Sequence, residues 1–190
     1  MQRCSWVPVD NDLYCRYHDE EWGRPIYDDQ SLFEMLCLES YQSGLSWLTV
    51  LKKRPAFRQA FHDYDISRVA AMTEADLEEL LTNPAIIRHR MKLAATINNA
   101  KALLILQQER SFSDYLWQFV GGESQDNQVT DYRQLANQTE VSKALAKDLK
   151  KRGFKFLGPT TIYSFMQAVG MVNDHEITCF CHNQVKLANK

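Results

Sequence analysis

The chain has 190 residues, of which 45% are hydrophobic and 24% charged, and a formal net charge of −2. That fits one soluble domain with a sizeable core and excludes a disordered, fibrous or generally basic protein. Five cysteines, an odd number, and a polar first segment (MQRCSWVPVDND) without a secretory apolar stretch imply reduced thiols in the cytoplasm. The longest apolar runs, such as 102–106, are far too short to span a bilayer, so no membrane is expected as a partner.

Helix signals follow one another along the chain. Ser31-x-x-Glu34 reads as a capping box opening a helix with a wide apolar face (Leu32, Phe33, Met35, Leu36) to about Glu39, ended by Gly44. Ser46 to Lys53 reads as a further helical piece, and Pro55 suits the first position of another carrying Ala56, Phe57, Ala60 and Phe61. Thr73-x-x-Asp76 opens a short helix ending before Asn83-Pro84. Residues 86–109 make the longest periodic segment, and Ser111-x-x-Asp114 opens a helix stopped by Gly121-Gly122. The polar stretch 121–138 reads as an exposed loop. Helices are then expected from about Thr139 to Arg152 and from about Pro159 to Val172, and no alternating run is long enough for a strand. The class is all-α, a monomer by default because no heptad seam is present.

Charge is uneven. Lys143, Lys147, Lys150, Lys151, Arg152 and Lys155 face a single acid, Asp148, over 143–155, a local +5 that leaves −7 on the remainder. Smaller basic groups sit at 52–54 and 88–92. The +5 run ends in a glycine hairpin, Gly153-Phe-Lys-Phe-Leu-Gly158-Pro-Thr160. Two glycines at φ > 0 would turn the chain tightly, and free amides near Thr160 with Lys151, Arg152 and Lys155 would bind a phosphate. The turn resembles the helix-hairpin-helix element of DNA repair proteins, though its glycine spacing departs from Gly-x-Gly. A plain helix–turn–helix with a glycine C-cap reads equally well.

His175 and Cys179, four apart, would share one helix face at a workable bite for a metal. A closed structural zinc site needs four ligands; Cys4 and His18, near the other end, would complete it and neutralise the ion. Cys181 rivals Cys179, and Cys15 and Cys37 suit core positions. Buried cysteines and solvated histidines are the plainer account of the same residues.

At this point the blocks MQRCSWV, LYCRYHDEEWG, LFEMLCLESYQSGLSWLTVLKKR, IIRHRMK, LKKRGFKFLG and YSFMQAVGMVNDH resemble the constitutive 3-methyladenine DNA glycosylase I family, a divergent branch of the helix-hairpin-helix glycosylases. The match covers nearly the whole chain, leaving out the loop 121–138 and the tail after Cys181, with one extra residue between Trp6 and Leu13. The resemblance implies a DNA repair enzyme that removes 3-methyladenine from alkylated double-stranded DNA, leaving an abasic site, and one structural zinc on Cys4, His18, His175 and Cys179. It implies a single compact unit: a helical glycosylase core over 26–164 with its hairpin at 150–160, and a zinc-tied terminal subdomain of 1–25 plus 165–190. Its base pocket falls on Glu39, Tyr17 and Trp47, with Trp6 and Trp22 nearby.

Those residue types suit the chemistry. An extruded cationic base would stack on Tyr17 and Trp47 and bond to an ionised Glu39. Core aromatics and an exposed helix-end acid are the structural alternatives. Gln42-Ser43-Gly44-Leu45 could supply a wedge for the gap left in the duplex, with Leu45 as its tip, or Leu45 could simply be buried. Many helix-hairpin-helix glycosylases carry Val-Asp-Thr-His after the hairpin; here Val172-Asn173-Asp174-His175 puts Asn173 in the carboxylate's place, or Asp174 after a one-residue shift. No lysine nucleophile is evident, so a monofunctional enzyme is expected. A non-catalytic DNA-binding module and a zinc-tied adaptor are the competing classes.

Overall fold

The structure, a computed structural model, describes residues 2–188, with side chains as far as Val185. It is mostly helical: α1 (Asp12–Glu20), α2 (Asp29–Gln42), α3 (Trp47–Ala60), α4 (Ile66–Ala70), α5 (Glu74–Thr82), α6 (Arg90–Leu106), α7 (Phe112–Trp117), α8 (Glu140–Lys151), α9 (Pro159–Ala168) and α10 (Phe180–Ala188). One small exception is a parallel bridge between β1 (Gln125–Asp126) and β2 (Val172–Asn173), which corrects the expectation of no strand. No described helix is long and apolar enough to cross a membrane.

Local chemistry sets the helix ends. Helix α2 starts three residues earlier than the 31–34 capping box implied: Asp28 accepts from Ser31 N at 2.8 Å, and a carboxylate at that end also suits the helix dipole. Glu34 does not reach back; it is buried and takes Arg54 Nε and Arg58 Nε at 2.7 Å each. Helix α3 is continuous through Pro55 rather than restarting there. Pro55 faces solvent, and burial of Val50, Leu51 and Phe57 on the inner face outweighs the missing hydrogen bond. Helix α6 begins at Arg90, capped by His89, later than expected. Thr73 and Asp76 do form a capping box, and Ser111 does cap α7.

Helix α2 lies at the centre, against α3, α6, α7 and α9. Tyr41, Phe57, Phe61 and Tyr64 stack in series within this core, with neighbouring rings 4.3, 6.5 and 5.8 Å apart. The buried cluster is contiguous from Cys4 to Cys181.

Helices α8 and α9 are joined by the predicted hairpin. Gly153 (φ +88°) and Phe154 close α8 in a Schellman motif: Gly153 N donates to Lys150 O and Phe154 N to Leu149 O. Only one of the two glycines is left-handed. Gly158 has φ −76° and serves as the N-cap of α9, while Phe156 takes the positive φ of +60°.

Helix α9 stops at Ala168, short of the expected Val172, because Gly170 turns the chain at φ +75° under the incoming N-terminal segment. Gly23 N reaches Ala168 O at 3.3 Å and Ile26 N reaches Val169 O at 3.1 Å. A Cβ on Gly170 would lie 2.5 Å from Pro25 N and 2.6 Å from Arg24 C, both backbone atoms. Gly170→Ala is therefore expected to cost about 3 kcal/mol or to prevent purification of folded protein; urea denaturation measures it, whereas Gly44→Ala, with open space around its Cβ, should lose only the smaller cost of its φ.

Candidate active site and metal-ligand cluster

A cavity of about 230 Å³ opens where four parts of the chain meet. The N-terminal segment and α1 contribute Trp6, Tyr14, Tyr17 and Trp22; α2 and α3 contribute Glu39, Gln42 and Trp47; the 121–138 segment contributes Tyr132; and α9 contributes Ser164 and Gln167. All five residues expected at a base pocket are thus brought together. Tyr17 and Trp47 face each other with centroids 5.4 Å apart at 53°, and Trp6 meets Trp22 edge-on at 4.8 Å.

Glu39 is not an exposed helix-end acid. It sits inside α2, 7% exposed, and burial pushes its carboxyl up to about 8. Among the described residues it has neither hydrogen-bond nor ion-pair partner. Five residues earlier on the same helix, Glu34 is as buried but paired with two arginines. Burial, with Glu39 behind it, also raises Tyr17, keeping its phenol protonated. The indole N–H groups of Trp6 and Trp47 are buried without an acceptor. Such orphan donors cost about 1–3 kcal/mol each, which a hydrogen-bonding ligand would offset.

Behind the aromatic wall, Cys4, His18, His175 and Cys179 converge, all buried, with their ligand atoms within 4.8 Å of one another. His175 Nδ1 lies 3.5 Å from Cys4 Sγ and 3.7 Å from Cys179 Sγ, and His18 Nε2 lies 3.5 Å from Cys179 Sγ. The far nitrogens are occupied: His175 Nε2 by Trp22 O at 3.0 Å, His18 Nδ1 by Asp19 Oδ1 at 2.8 Å. Asp19 is in turn held by Arg3. With a carbonyl and a carboxylate as outer partners, each ring is oriented so that its other nitrogen faces the centre, the arrangement a metal-ligating histidine uses. This set could hold a metal ion. The route to it differs from the helical face expected for His175 and Cys179: they lie on a turn between β2 and α10, closed by Cys179 N to Glu176 O at 2.7 Å. Cys181 instead points toward the carbonyls of His18 and Asp19, outside the four.

The remaining expected residues divide. In the 42–45 turn, Gly44 is left-handed, Gln42 Nε2 braces Leu45 O at 2.9 Å, and Leu45 is 37% exposed rather than buried. On the hairpin, Lys151, Lys155, Gly158 and Thr160 are exposed. Arg152 is already engaged, by Asp148 at 3.0 Å and Glu109 at 3.2 Å, over the ring of Tyr115. In the other basic groups, Arg54 and Arg90 are likewise paired with acids. Neither Asn173 nor Asp174 lines the cavity. Asp174 is fully buried and accepts from Asn127, Tyr163 and Gln167, and Asn173 holds His182 O and His175 N.

The sequence reading missed Tyr14, Tyr132, Ser164 and Gln167. Tyr14 precedes Tyr17 by three on α1, and Ser164 precedes Gln167 by three on α9, a one-face spacing that a helical reading of those blocks could have exploited. Tyr132 had no such signal. The 121–138 segment is largely exposed, but Tyr132 is folded onto Trp6 and Trp22 because Glu176 takes Tyr132 N at 2.9 Å and Ser5 N at 2.7 Å.

Comparison with known proteins agrees with this geometry. The sequence model of the methyladenine glycosylase family matches residues 6–182. The chain is 52% identical over 183 residues to DNA-3-methyladenine glycosylase 1 of Escherichia coli, covering 96% of this chain and 97% of that one. Its fold superposes with a TM-score of 0.93 on a crystal structure of a 3-methyladenine DNA glycosylase I, at 55% identity over 95% of this chain and all of that one. A second crystal structure, of a 3-methyladenine DNA glycosylase I variant in complex with 3-methyladenine, superposes at 0.91 with 41% identity, covering 95% and 97% of the two chains. A cavity of aromatic faces around a lone buried carboxylate, in a chain matched along nearly its whole length, places this protein in the methyladenine glycosylase family.

Proposed function

We propose that the chain excises 3-methyladenine from alkylated double-stranded DNA: it draws the damaged nucleotide out of the duplex into the cavity and hydrolyses its glycosidic bond. The observation that carries this reading is Glu39, a buried carboxyl with no partner among the described residues, surrounded by aromatic faces. While joined to the sugar, 3-methyladenine is a cation. Tyr17 and Trp47 offer it π-faces, and its charge favours the ionised form of Glu39, so binding releases a proton from the pocket. Normal adenine is neutral and brings no such compensation. A phosphate-binding module alone would need none of this.

The leaving base takes the electron pair of the bond from its ring nitrogen to the sugar carbon, which neutralises it. A water then adds to the sugar carbon and gives up a proton, leaving an abasic site. Among the described residues that line the cavity there is no lysine, which supports a monofunctional reaction without a covalent adduct to the sugar. With Asp174 held by three donors away from the cavity, the sugar cation gains little from that carboxylate. The methylated base is a good leaving group already, and unstacking it onto the aromatic faces of the cavity supplies further help.

Three supports belong to the same reading. The hairpin acts as a helix-hairpin-helix element: α9 has no side-chain cap, and Gly158 leaves open space beside its first amides for a phosphate, with Lys151 and Lys155 adding charge. Arg152, already paired, braces the hairpin. Leu45 is the wedge. Cys4, His18, His175 and Cys179 would hold one zinc. Tetrahedral zinc bonds put sulfur and nitrogen about 3.5 Å apart, matching the separations observed. Four protein ligands leave no open position, so the ion is structural, and its thiolate ligands suit a reducing cytoplasm.

Free 3-methyladenine released from methylated duplex DNA is the direct test, and its absence would sink the reading. Glu39→Gln should lower kcat/KM about 10- to 100-fold. The wild-type pH profile should rise toward about 8 as Glu39 ionises, and the variant's should be flat. The sign for stability is opposite. A carboxyl raised in the folded state from its ordinary 4.5 destabilises progressively as pH climbs from about 4.5 to 8, so Glu39→Gln should be no more stable than wild type at pH 4 and several kcal/mol more stable at pH 9, within an order of magnitude.

Gly158→Ala meets no atom within 4 Å and has an ordinary φ. It should fold normally yet bind undamaged duplex several-fold more weakly; unchanged binding would remove the hairpin from the interface. Cys179→Ser should lose metal, measured by elemental analysis, and lower Tm, while Cys181→Ser should retain a full equivalent.

A further inference from the structure

Helix α6 carries a polar stripe on its buried side: Lys92, Thr96 and Asn99, at i, i+4 and i+7, are 6%, 1% and 3% exposed. Buried polar groups need partners; Lys92 and Asn99 find theirs at the two turns that face DNA in the reading above, and Thr96 finds its partner in the core between them. Lys92 Nζ donates to Tyr41 O at 2.9 Å and to Ser43 O at 2.6 Å, at the C-terminal end of α2 where the Gln42–Leu45 turn begins. An ammonium there also complements the helix dipole, while the buried lysine stem packs in the core. Thr96 Oγ1 lies 2.8 Å from the Tyr41 hydroxyl. Asn99 grips the hairpin at two points: its Nδ2 donates to Lys155 O at 3.0 Å and its Oδ1 accepts from Lys155 N at 2.8 Å. Asn98 adds a bond from Nδ2 to Gly153 O at 2.8 Å.

Among the described residues, the bond from Lys92 to Ser43 O is the one hydrogen bond that reaches residues 43–45 from outside that turn and its flanking helices. The grip on Lys155 adjoins Phe156, whose left-handed backbone is unfavourable for a phenylalanine and persists only where its neighbours fix it. The two turns therefore ride on one rigid rod. Their anchors stand seven residues apart, about 10 Å at 1.5 Å per residue.

We propose that α6 is a spacer, with Lys92 and Asn99 as positioning residues that hold the Leu45 turn at a fixed distance from the Gly153–Thr160 hairpin so that both engage the duplex together. The inference rests on the glycosylase reading. It separates two tasks: the cavity recognises the base, and α6 governs how DNA is gripped while that base is outside the helix.

The experiment compares wild type, Lys92→Met, Lys92→Arg and Asn99→Leu in the full chain. It measures single-turnover release of 3-methyladenine from methylated duplex, and affinity for free 3-methyladenine by tryptophan fluorescence. Lys92→Met and Asn99→Leu should each slow release from duplex about tenfold while free-base affinity stays within about twofold, and Lys92→Arg, which keeps the charge and donors, should recover most of the rate. Adding Lys92→Met to Leu45→Ala should cost no more than Leu45→Ala alone, because the lysine acts through the turn. If Lys92→Met cannot be purified, Lys92→Gln carries the same comparison. Release and free-base affinity falling in parallel, additive losses with Leu45→Ala, or unchanged release would each overturn the spacer. A wild-type protein that releases no 3-methyladenine overturns the glycosylase reading and the spacer with it, and is seen before any variant is compared.

Discussion

The closure of the N-terminal segment onto the chain that follows α9 is the constraint from which the site derives. Cys4 and His18 meet His175 and Cys179, with Cys4 and His175 alone separated by 171 residues of sequence, and the two imidazoles form the rear support of the aromatic wall. Trp22 lies edge-on to His175 at 4.6 Å and stacks with His18 at 6.2 Å, and Trp6 packs between them and the cavity. Glu176, between the two C-terminal ligands, adds Ser5 and Tyr132 to the same knot. The glycine crossing at Gly23 and Gly170 lets the backbones approach closely enough for this. Remove the closure and half the cavity's lining has nothing to stand against.

Within that frame, one helix handles charge in two opposite ways. Glu34 and Glu39 both point inward from α2. The first is neutralised by Arg54 and Arg58, and Arg54 continues to Glu21, so it ties α1, α2 and α3 together. The second is left alone, and its carboxyl is accordingly raised. An unpartnered buried carboxyl contributes nothing to folding; it makes sense as a counter-charge kept for something that arrives from outside. The orphan indole donors of Trp6 and Trp47 follow the same logic.

Much of this was legible in the residues. Helix periodicity, the caps at Thr73 and Ser111 and the stop at Gly153 depend on near neighbours and read correctly. The four metal-ligand candidates and the five pocket residues emerged from family-specific blocks, and the fold does gather them. What could not be read depends on distant partners. Asp28 displaced the 31–34 capping box because Glu34 had arginines to meet twenty or more residues away. The basic run that ends in the hairpin looked like a phosphate contact, yet its Arg152 is paired with acids, as are Arg54 and Arg90 in the smaller basic groups. Gly158 looked like a turn glycine but is an extended N-cap. Tyr132 sits in a polar stretch whose composition says only loop; a bridge to β2 and a carboxylate on the far side of the chain decide otherwise.

The distance in sequence between the cavity's walls has a consequence for synthesis. Tyr17 and Glu39 leave the ribosome early, but Tyr132, Gln167 and the ligands at 175 and 179 are needed to finish the pocket and its support. A nascent chain that has made its central helices still exposes an unbacked indole surface, with the Cys4 thiol and His18 imidazole lacking their late partners, the kind of surface that chaperones shield. The ability to capture a base thus arrives in one step, when the last quarter of the chain emerges and folds back, so that partly made copies have no pocket with which to occupy damaged DNA.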